Sequence, residues 1–410
     1  MTKSPRILVI GYCYPPTASP EAFVTAKLLR NIPECEIDVL TLEDGLVSDY
    51  CDLEMGRYAE GINGKVIKVT PSWLTKKLCR IPRLPLRPDR WLLANRITKK
   101  QALKLDPASY DCIVTRSQYH SAHLVGLSLK RKFPHLPWIA CFSDPWSGSD
   151  HQQSVPLFSR YSKLQENRVL KNADFLVFPT AGLLQHMTKG TKDLTKKSTV
   201  IPHCYDVELY GEREASIASS AKVDQTELQW RIFGSFYGNR QPDILIRALS
   251  LLQVPNNKKL QIEIYGAFHE KYREFEQFNQ THANCKIAHM GQIPHKSALR
   301  IMQKSDLLIV IDSTELSESF YLPSKIIDYF GSGTSILAIC KQGTVEEITT
   351  SRNQHVANID DVNSITSAMF NILNQHKRTP THNSSDKTYA ATEVGKNFLS
   401  LIKRNSKKND

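Results

Sequence analysis

Two short segments in the second half of the chain carry residue types that could hold a phosphorylated ligand. The first is Phe320–Gly333, FYLPSKIIDYFGSG. Pro323 suits the first position of a helix, where its missing N–H costs nothing. A helix that begins near Leu322 turns the amides of Ser324 and Lys325 and the positive end of its dipole toward an anion. Lys325 adds a mobile positive charge. Asp328, one turn on, is placed to accept hydrogen bonds from vicinal hydroxyls. Phosphates at the helix start with a ribose along it make a nucleotide-diphosphate pose; an ordinary amphipathic helix with a proline cap is the plainer alternative. The second segment is Phe233–Pro242, FGSFYGNRQP, at the end of an apolar run. Gly234 and Gly238 let backbone approach a ligand closely. Arg240 could offer a planar fork to a diphosphate from the carboxyl end of a parallel strand, where α/β folds bind ligands.

The elements that position these segments are legible as alternating runs. Strand-like stretches at Arg6–Ile10, Glu36–Leu42, Asp111–Thr115, Trp138–Phe142, Phe175–Phe178 and Thr199–Ile201 are interleaved with helix-like stretches such as Glu21–Asn31, Ser121–Phe133 and Arg160–Lys171. The pattern fades over Val207–Glu227 and restarts. Strands follow at Trp230–Gly234, Leu260–Tyr265, Lys286–His289, Leu307–Ile311 and Ser335–Ile339, with helices at Pro242–Leu252, His295–Met302, Pro323–Phe330 and Val362–Asn374. Such alternation implies helix-covered, mostly parallel sheets. The weak junction near Val207 favours two Rossmann-like domains over a closed barrel, although periodicity alone does not separate the two. The expected division is residues 1–206, 207–388, and a C-terminal helix and tail over 389–410.

Composition sets outer bounds. The chain has 410 residues, 41% hydrophobic and 23% charged, with nine scattered cysteines, an odd number with no C-x-x-C spacing. These values fit a soluble two-domain protein in a reducing cytoplasm, without structural zinc or a disulfide framework. No apolar run approaches the ~20 residues of a membrane span or forms a signal core. Of the net charge of +12, most is concentrated: Lys65–Lys104 holds twelve Lys/Arg and one acid, Asp89. Within it, Ser72–Leu93 mixes Trp73, Leu74, Leu78, Ile81, Leu84, Leu86, Trp91 and Leu92 with six Lys/Arg, and Pro82, Pro85 and Pro88 break any single helix. Basic charge with Trp and Leu suits an anionic leaflet, and a merely solvated basic face is the alternative. The segment matches no nucleic-acid recognition module. The first strand turn, Gly11-Tyr12-Cys13-Tyr14-Pro15-Pro16, lacks the G-x-G-x-x-G of a dinucleotide fold.

The ordered set of motifs resembles glycosyltransferase family 4, whose fold is GT-B. In the C-terminal half these are IPHCYD (Ile201–Asp206), FGSFYGNRQP, MGQIP (Met290–Pro294) and FYLPSKIIDYFGSG. In the N-terminal half YDCIVTRSQYHSAHLVG (Tyr110–Gly126), PWIACFSDPW (Pro137–Trp146) and KNADFLVFPT (Lys171–Thr180) are similar to a bacterial subgroup that builds surface polysaccharides. The resemblance implies an α/β protein of two Rossmann-like domains facing across a cleft, with the C-terminal helix returning to the first. It implies a retaining transfer of a sugar from a nucleotide-sugar donor to a glycan or lipid-linked acceptor, with no metal cofactor; no D-x-D triplet occurs. Carried over by position, Arg240 and Lys325 neutralise the diphosphate, Ser324 touches a phosphate, Asp328 holds the ribose, and Gln292 and Ile293 hold the base through backbone. His120 lies near the transferred sugar. The loop with Tyr14, together with Asp144 and Trp146, forms the acceptor side, though a capping Asp and a packed Trp explain the last two equally well. The chain departs from the family where Phe320 replaces the first of two acids eight apart, leaving Glu318 ten residues before Asp328 as substitute, and where Ser235 replaces a basic residue after Gly234. Alternatives on the same fold are a nucleotide-sugar epimerase and a non-catalytic protein. A cytoplasmic protein, peripheral on the inner face of the membrane, completes the expectation.

Overall fold

The computed structural model describes residues 4–81, 86–147, 156–211, 226–236, 241–312, 319–375 and 387–406. The chain divides into two compact units, Met1–Cys204 with Ala391–Asp410, and Tyr205–Ala390. The last helix, Ala391–Asn405, thus belongs to the first unit: Val394, Phe398 and Ile402 enter its core beside Leu28 and Ile32. Gly395 is where that helix meets the first one closely, since a Cβ there would lie 2.3 Å from the carbonyl oxygen of Asn31.

The first unit is built on seven parallel strands: β1 (Arg6–Gly11), β2 (Glu36–Leu42), β3 (Gly64–Val69), β4 (Cys112–Arg116), β5 (Trp138–Cys141), β6 (Phe175–Phe178) and β7 (Ser198–Val200). Their order is β3-β2-β1-β4-β5-β6-β7. The second unit has β8 (Glu227–Phe233), β9 (Lys259–Tyr265), β10 (Cys285–Gly291), β11 (Leu307–Ile311), β12 (Ile336–Cys340) and β13 (His355–Asn358), ordered β10-β9-β8-β11-β12-β13. Both sheets are doubly wound, and each reverses direction between its first strand and its fourth. Central strands such as β1, β4, β11 and β12 are buried on both faces, which is why they read as unbroken apolar runs.

Two edge strands escape that reading. β3 is GKVIKV, with Lys65 and Lys68 at the open edge, and β13 is HVAN, too short and polar to register as an apolar run. The short helices Leu53–Ala59, Trp73–Arg80 and Thr344–Thr350 were not anticipated either; each has only two turns or so of pattern.

Candidate functional site

In doubly wound sheets, ligands bind beyond the carboxyl ends of the strands where the order reverses. In the second unit that point lies between β8 and β11, which pair at Leu307 and Trp230. β8 ends at Phe233, and Gly234 follows with φ +107°, a conformation that favours glycine. A Cβ on Gly234 would sit 3.3 Å from the ammonium nitrogen of Lys325. The strand end and the helix start are therefore brought together, with bare backbone left under the positive charge.

The helix is Ser324–Ser332, and Pro323 occupies its cap position (φ −58°, ψ 122°) rather than the first helical residue. The shift is one residue, because an extended ψ at Pro323 delays the helical turn. Ser324 and Lys325 are half-buried in the first turn, where amides have no acceptor in their own helix. One turn later on the Lys325 face stands Tyr329, fully buried. Its hydroxyl accepts from the Phe233 amide (3.0 Å) and donates to the Ile309 carbonyl (3.3 Å). A single phenol thus ties the helix to both strands of the reversal point and holds Lys325 over Gly234. Burial pushes the Tyr329 phenol pKa upward, so it remains protonated.

Asp328, 4% exposed, lies one turn beyond Ser324. Its carboxylate is 3.8 Å from the imidazole Nε2 of His295, and its carbonyl accepts from the Tyr210 hydroxyl (2.7 Å). His295 opens the helix His295–Gln303 directly after the MGQIP segment. That residue was missed in sequence; its one signal was adjacency to the motif. Gln292 is exposed and Ile293 half-buried in the turn between β10 and that helix. Ser235 uses its hydroxyl to accept from the Ala267 amide (2.9 Å), so it braces the β9 turn. Asp312, fully buried just past β11, accepts from the Ser319 hydroxyl. Gly238, Arg240 and Glu318 lie outside the described residues.

In the first unit the reversal point lies between β1 and β4. His120 immediately precedes the helix Ser121–Lys132, without a capping hydrogen bond from its side chain, and is 8% exposed. Its ring stacks on Trp146 with centroids 5.0 Å apart and planes 14° from parallel. Burial lowers its pKa to about 4, against a backbone hydrogen bond at Pro145 that raises it, so the imidazole is neutral near pH 7. Among the described residues its Nδ1 has no hydrogen-bond partner. Asp144 accepts from the Gln118 amide at 3.2 Å. Trp146 is fully buried, a packed residue that forms the floor under His120. Tyr14 is 2% exposed, belongs to the hydrophobic core, and gives its hydroxyl to the Ala59 carbonyl (3.2 Å). Its aromatic character commits it to packing, so it offers no side chain to an acceptor. Within IPHCYD, Ile201 and Cys204 are core, Asp206 caps the turn Val207–Leu209, and His203 is buried with its pKa lowered to about 3, first by desolvation and then by Arg116 and Lys27.

The lone acid of the basic stretch, Asp89, is a hub. It accepts from the amide and hydroxyl of Ser121 (2.8 and 2.7 Å) and the amide of Trp91 (3.0 Å). Arg90 beside it reaches the Tyr119 hydroxyl at 3.4 Å. Upstream, the helix Trp73–Arg80 leaves Trp73 69%, Leu74 52% and, just past its end, Ile81 48% exposed. Lys77 lies over the Trp73 ring, 5.3 Å from its centroid. Among the described residues no helix is long and apolar enough to cross a membrane. None of the nine cysteines forms a disulfide.

No family model and no curated protein matches the chain. Solved structures do. HepE of Anabaena, solved with UDP and glucose, is 13% identical with a TM-score of 0.66, covering 97% of this chain and 99% of its own. The α,α-trehalose-phosphate synthase (UDP-forming) of Burkholderia xenovorans, solved with glucose-6-phosphate, is 11% identical with a TM-score of 0.68, covering 97% and 100%. The lipopolysaccharide outer core galactosyltransferase WaaB, in apo form, is 13% identical with a TM-score of 0.63, covering 97% and 99%. The fold is GT-B, with two Rossmann-type domains and the last helix joined to the first.

Proposed function

We propose that the chain is a retaining glycosyltransferase that takes a sugar from a nucleotide-diphosphate donor and passes it to a glycan or lipid-linked acceptor in surface-polysaccharide synthesis. The reading rests on one observation above all: the Lys325 ammonium against the bare backbone of Gly234, at a helix start and at the strand reversal of the second unit. UDP is the first donor base to test, because HepE was solved with it.

In this mechanism the bond from the anomeric carbon to the diphosphate breaks, and a bond to the acceptor oxygen forms on the same face. The acceptor proton passes to a donor phosphate oxygen, so no protein base is required. Lys325, the Ser324 end of the helix and Arg240 oppose the charge growing on the diphosphate. Asp328, beside His295, holds the ribose hydroxyls, and the backbone at Gln292 and Ile293 holds the base. Glu318 stands in for the missing acid near the sugar. His120, kept neutral, accepts or donates one hydrogen bond to the transferred sugar. Gly238 gives the diphosphate loop close approach, and Asp144 stands on the acceptor side.

The exposed Trp73, Leu74 and Ile81 beside Lys77 and Arg80, with Lys76 paired to Glu43, supply a membrane-facing surface for a lipid-linked acceptor on the cytoplasmic leaflet. Each surface Lys/Arg contributes about 1 kcal/mol on an anionic bilayer.

Calorimetric titration with UDP, GDP and dTDP tests the donor site. A charge-assisted contact contributes about 1.5–3 kcal/mol, so Lys325→Ala and Arg240→Ala should each weaken the preferred nucleotide roughly 10- to 100-fold. Binding that survives both substitutions unchanged would place the nucleotide away from Gly234 and Lys325. Conversion of a labelled donor to another sugar nucleotide with no acceptor present would make the protein an epimerase instead.

A further inference from the structure

The first unit holds a closed ring of buried polar groups that the proposed chemistry does not use. Glu21, 7% exposed, is in the first turn of the helix Pro20–Arg30. Its Oε1 accepts from Arg116 through Nη2 (2.9 Å) and Nε (3.1 Å), and Arg116 Nε also reaches Thr25 Oγ1 (2.8 Å). Its Oε2 accepts from the Ser143 hydroxyl (2.6 Å). Ser143 in turn takes its amide to the Ser117 hydroxyl (3.0 Å) and lies 3.2 Å from the Ser117 carbonyl. Arg116 is the last residue of β4, and Ser143 follows β5 by two residues. The ring therefore clasps the loops that leave two neighbouring strands.

These two loops carry the residues assigned to the sugar and acceptor side. Three residues beyond Ser117 is His120, and three beyond Ser143 is Trp146, whose rings stack. One residue beyond each are Gln118 and Asp144, which hydrogen-bond. Past the paired strand ends at Arg116 and Cys141, the Ser117 amide still donates to the Cys141 carbonyl (3.1 Å) and the Phe142 amide to the Val177 carbonyl (2.9 Å), so backbone fixes the loop bases and side chains set what lies beyond them. A buried ion pair is a weak source of net stability but a strong source of fixed geometry once every lone pair is matched.

We infer that Glu21, through Arg116 and Ser143, is a positioning residue that sets the separation of the loops bearing His120 and Trp146. The role in transfer rests on the glycosyltransferase reading; the geometry of the clasp does not. The test is a spectroscopic one on the full chain, with ε1-13C-labelled histidine and the His120 signal assigned by its loss in His120→Asn. In the wild type the stacked Trp146 ring should shift the His120 ε1 proton upfield. Glu21→Gln keeps the shape but removes the charge, and Ser143→Ala removes the hydroxyl contacts to Glu21 Oε2 and the Ser117 carbonyl while leaving the ion pair. Both should move that signal at least halfway back toward the position of an unstacked histidine, with UDP affinity unchanged within two-fold, because UDP is assigned to the other unit. If Glu21→Gln fails to fold, Ser143→Ala decides alone. A His120 signal unmoved in every folded variant overturns the inference, whether or not the wild type binds a nucleotide. A moved signal in a protein that neither binds nor turns over any sugar nucleotide leaves the clasp standing and removes the transferase reading.

Discussion

Tyr329→Phe isolates the link between the sheet and the helix Ser324–Ser332. The substitution keeps the ring and its edge-on contact with Phe233, 6.3 Å between centroids. It deletes the hydroxyl that accepts from the Phe233 amide and donates to the Ile309 carbonyl. Tyr329 is completely buried, so water cannot replace the oxygen. Leaving one buried amide unsatisfied costs about 1–3 kcal/mol. In a unit of this size each kcal/mol moves the unfolding midpoint by roughly 2–4 °C, so a mid-range loss lowers Tm by about 4–8 °C. The helix start also loses its tie to β8, and Lys325 with it. UDP affinity should fall by about three- to ten-fold, less than for removal of the charge itself. Calorimetric unfolding and UDP titration on the same preparation measure both quantities. A Tm within 1 °C of wild type, with unchanged UDP affinity, would refute the claim that this phenol holds the site together.

Gly234→Ala forces an L residue to φ +107° and puts a methyl 3.3 Å from the Lys325 nitrogen; a strain of about 1–3 kcal/mol and weaker UDP binding should appear together in unfolding and titration. His120 binds fewer protons folded than unfolded between pH 6.5 and about 4, so its contribution to stability is intact above pH 6.5 and is lost as pH falls through that window. At full extent this is about 3 kcal/mol, opposed by Asp89, whose pKa is raised to about 6 by burial; urea midpoints against pH should have a shallower slope in His120→Asn than in wild type. Replacing Lys76, Lys77, Arg80 and Arg83 with Gln should abolish sedimentation with anionic liposomes, and unchanged sedimentation would leave the basic stretch as a solvated surface.

Long central strands and amphipathic helices were legible because local periodicity reports burial directly. β11 (Leu307–Ile311) and the helix Val362–Asn374 have the bounds their apolar pattern predicts. The elements that did not read, such as β3 and the helix Trp73–Arg80, are short and half-exposed, and their residues serve solvent as much as core. At the site, Pro323-Ser324-Lys325 marked a helix start and Gly234 a strand end from residue type alone. Tyr14 and Trp146, placed on the acceptor side by the resemblance, are both buried, since an aromatic in a loop after a strand looks the same whether it faces a ligand or the core.

Sequence alone thus determined two α/β units, a helix start beside a lysine, and a concentrated basic stretch with one acid inside it. The tertiary structure decided which of these meet. Lys325 over Gly234, His295 beside Asp328, and Arg116 on Glu21 across 95 residues depend on strand order and register. No local pattern encodes those pairings. A hydrophobic period says which face of an element is buried, but the partner of a polar side chain is chosen only when the sheet brings distant strand ends side by side.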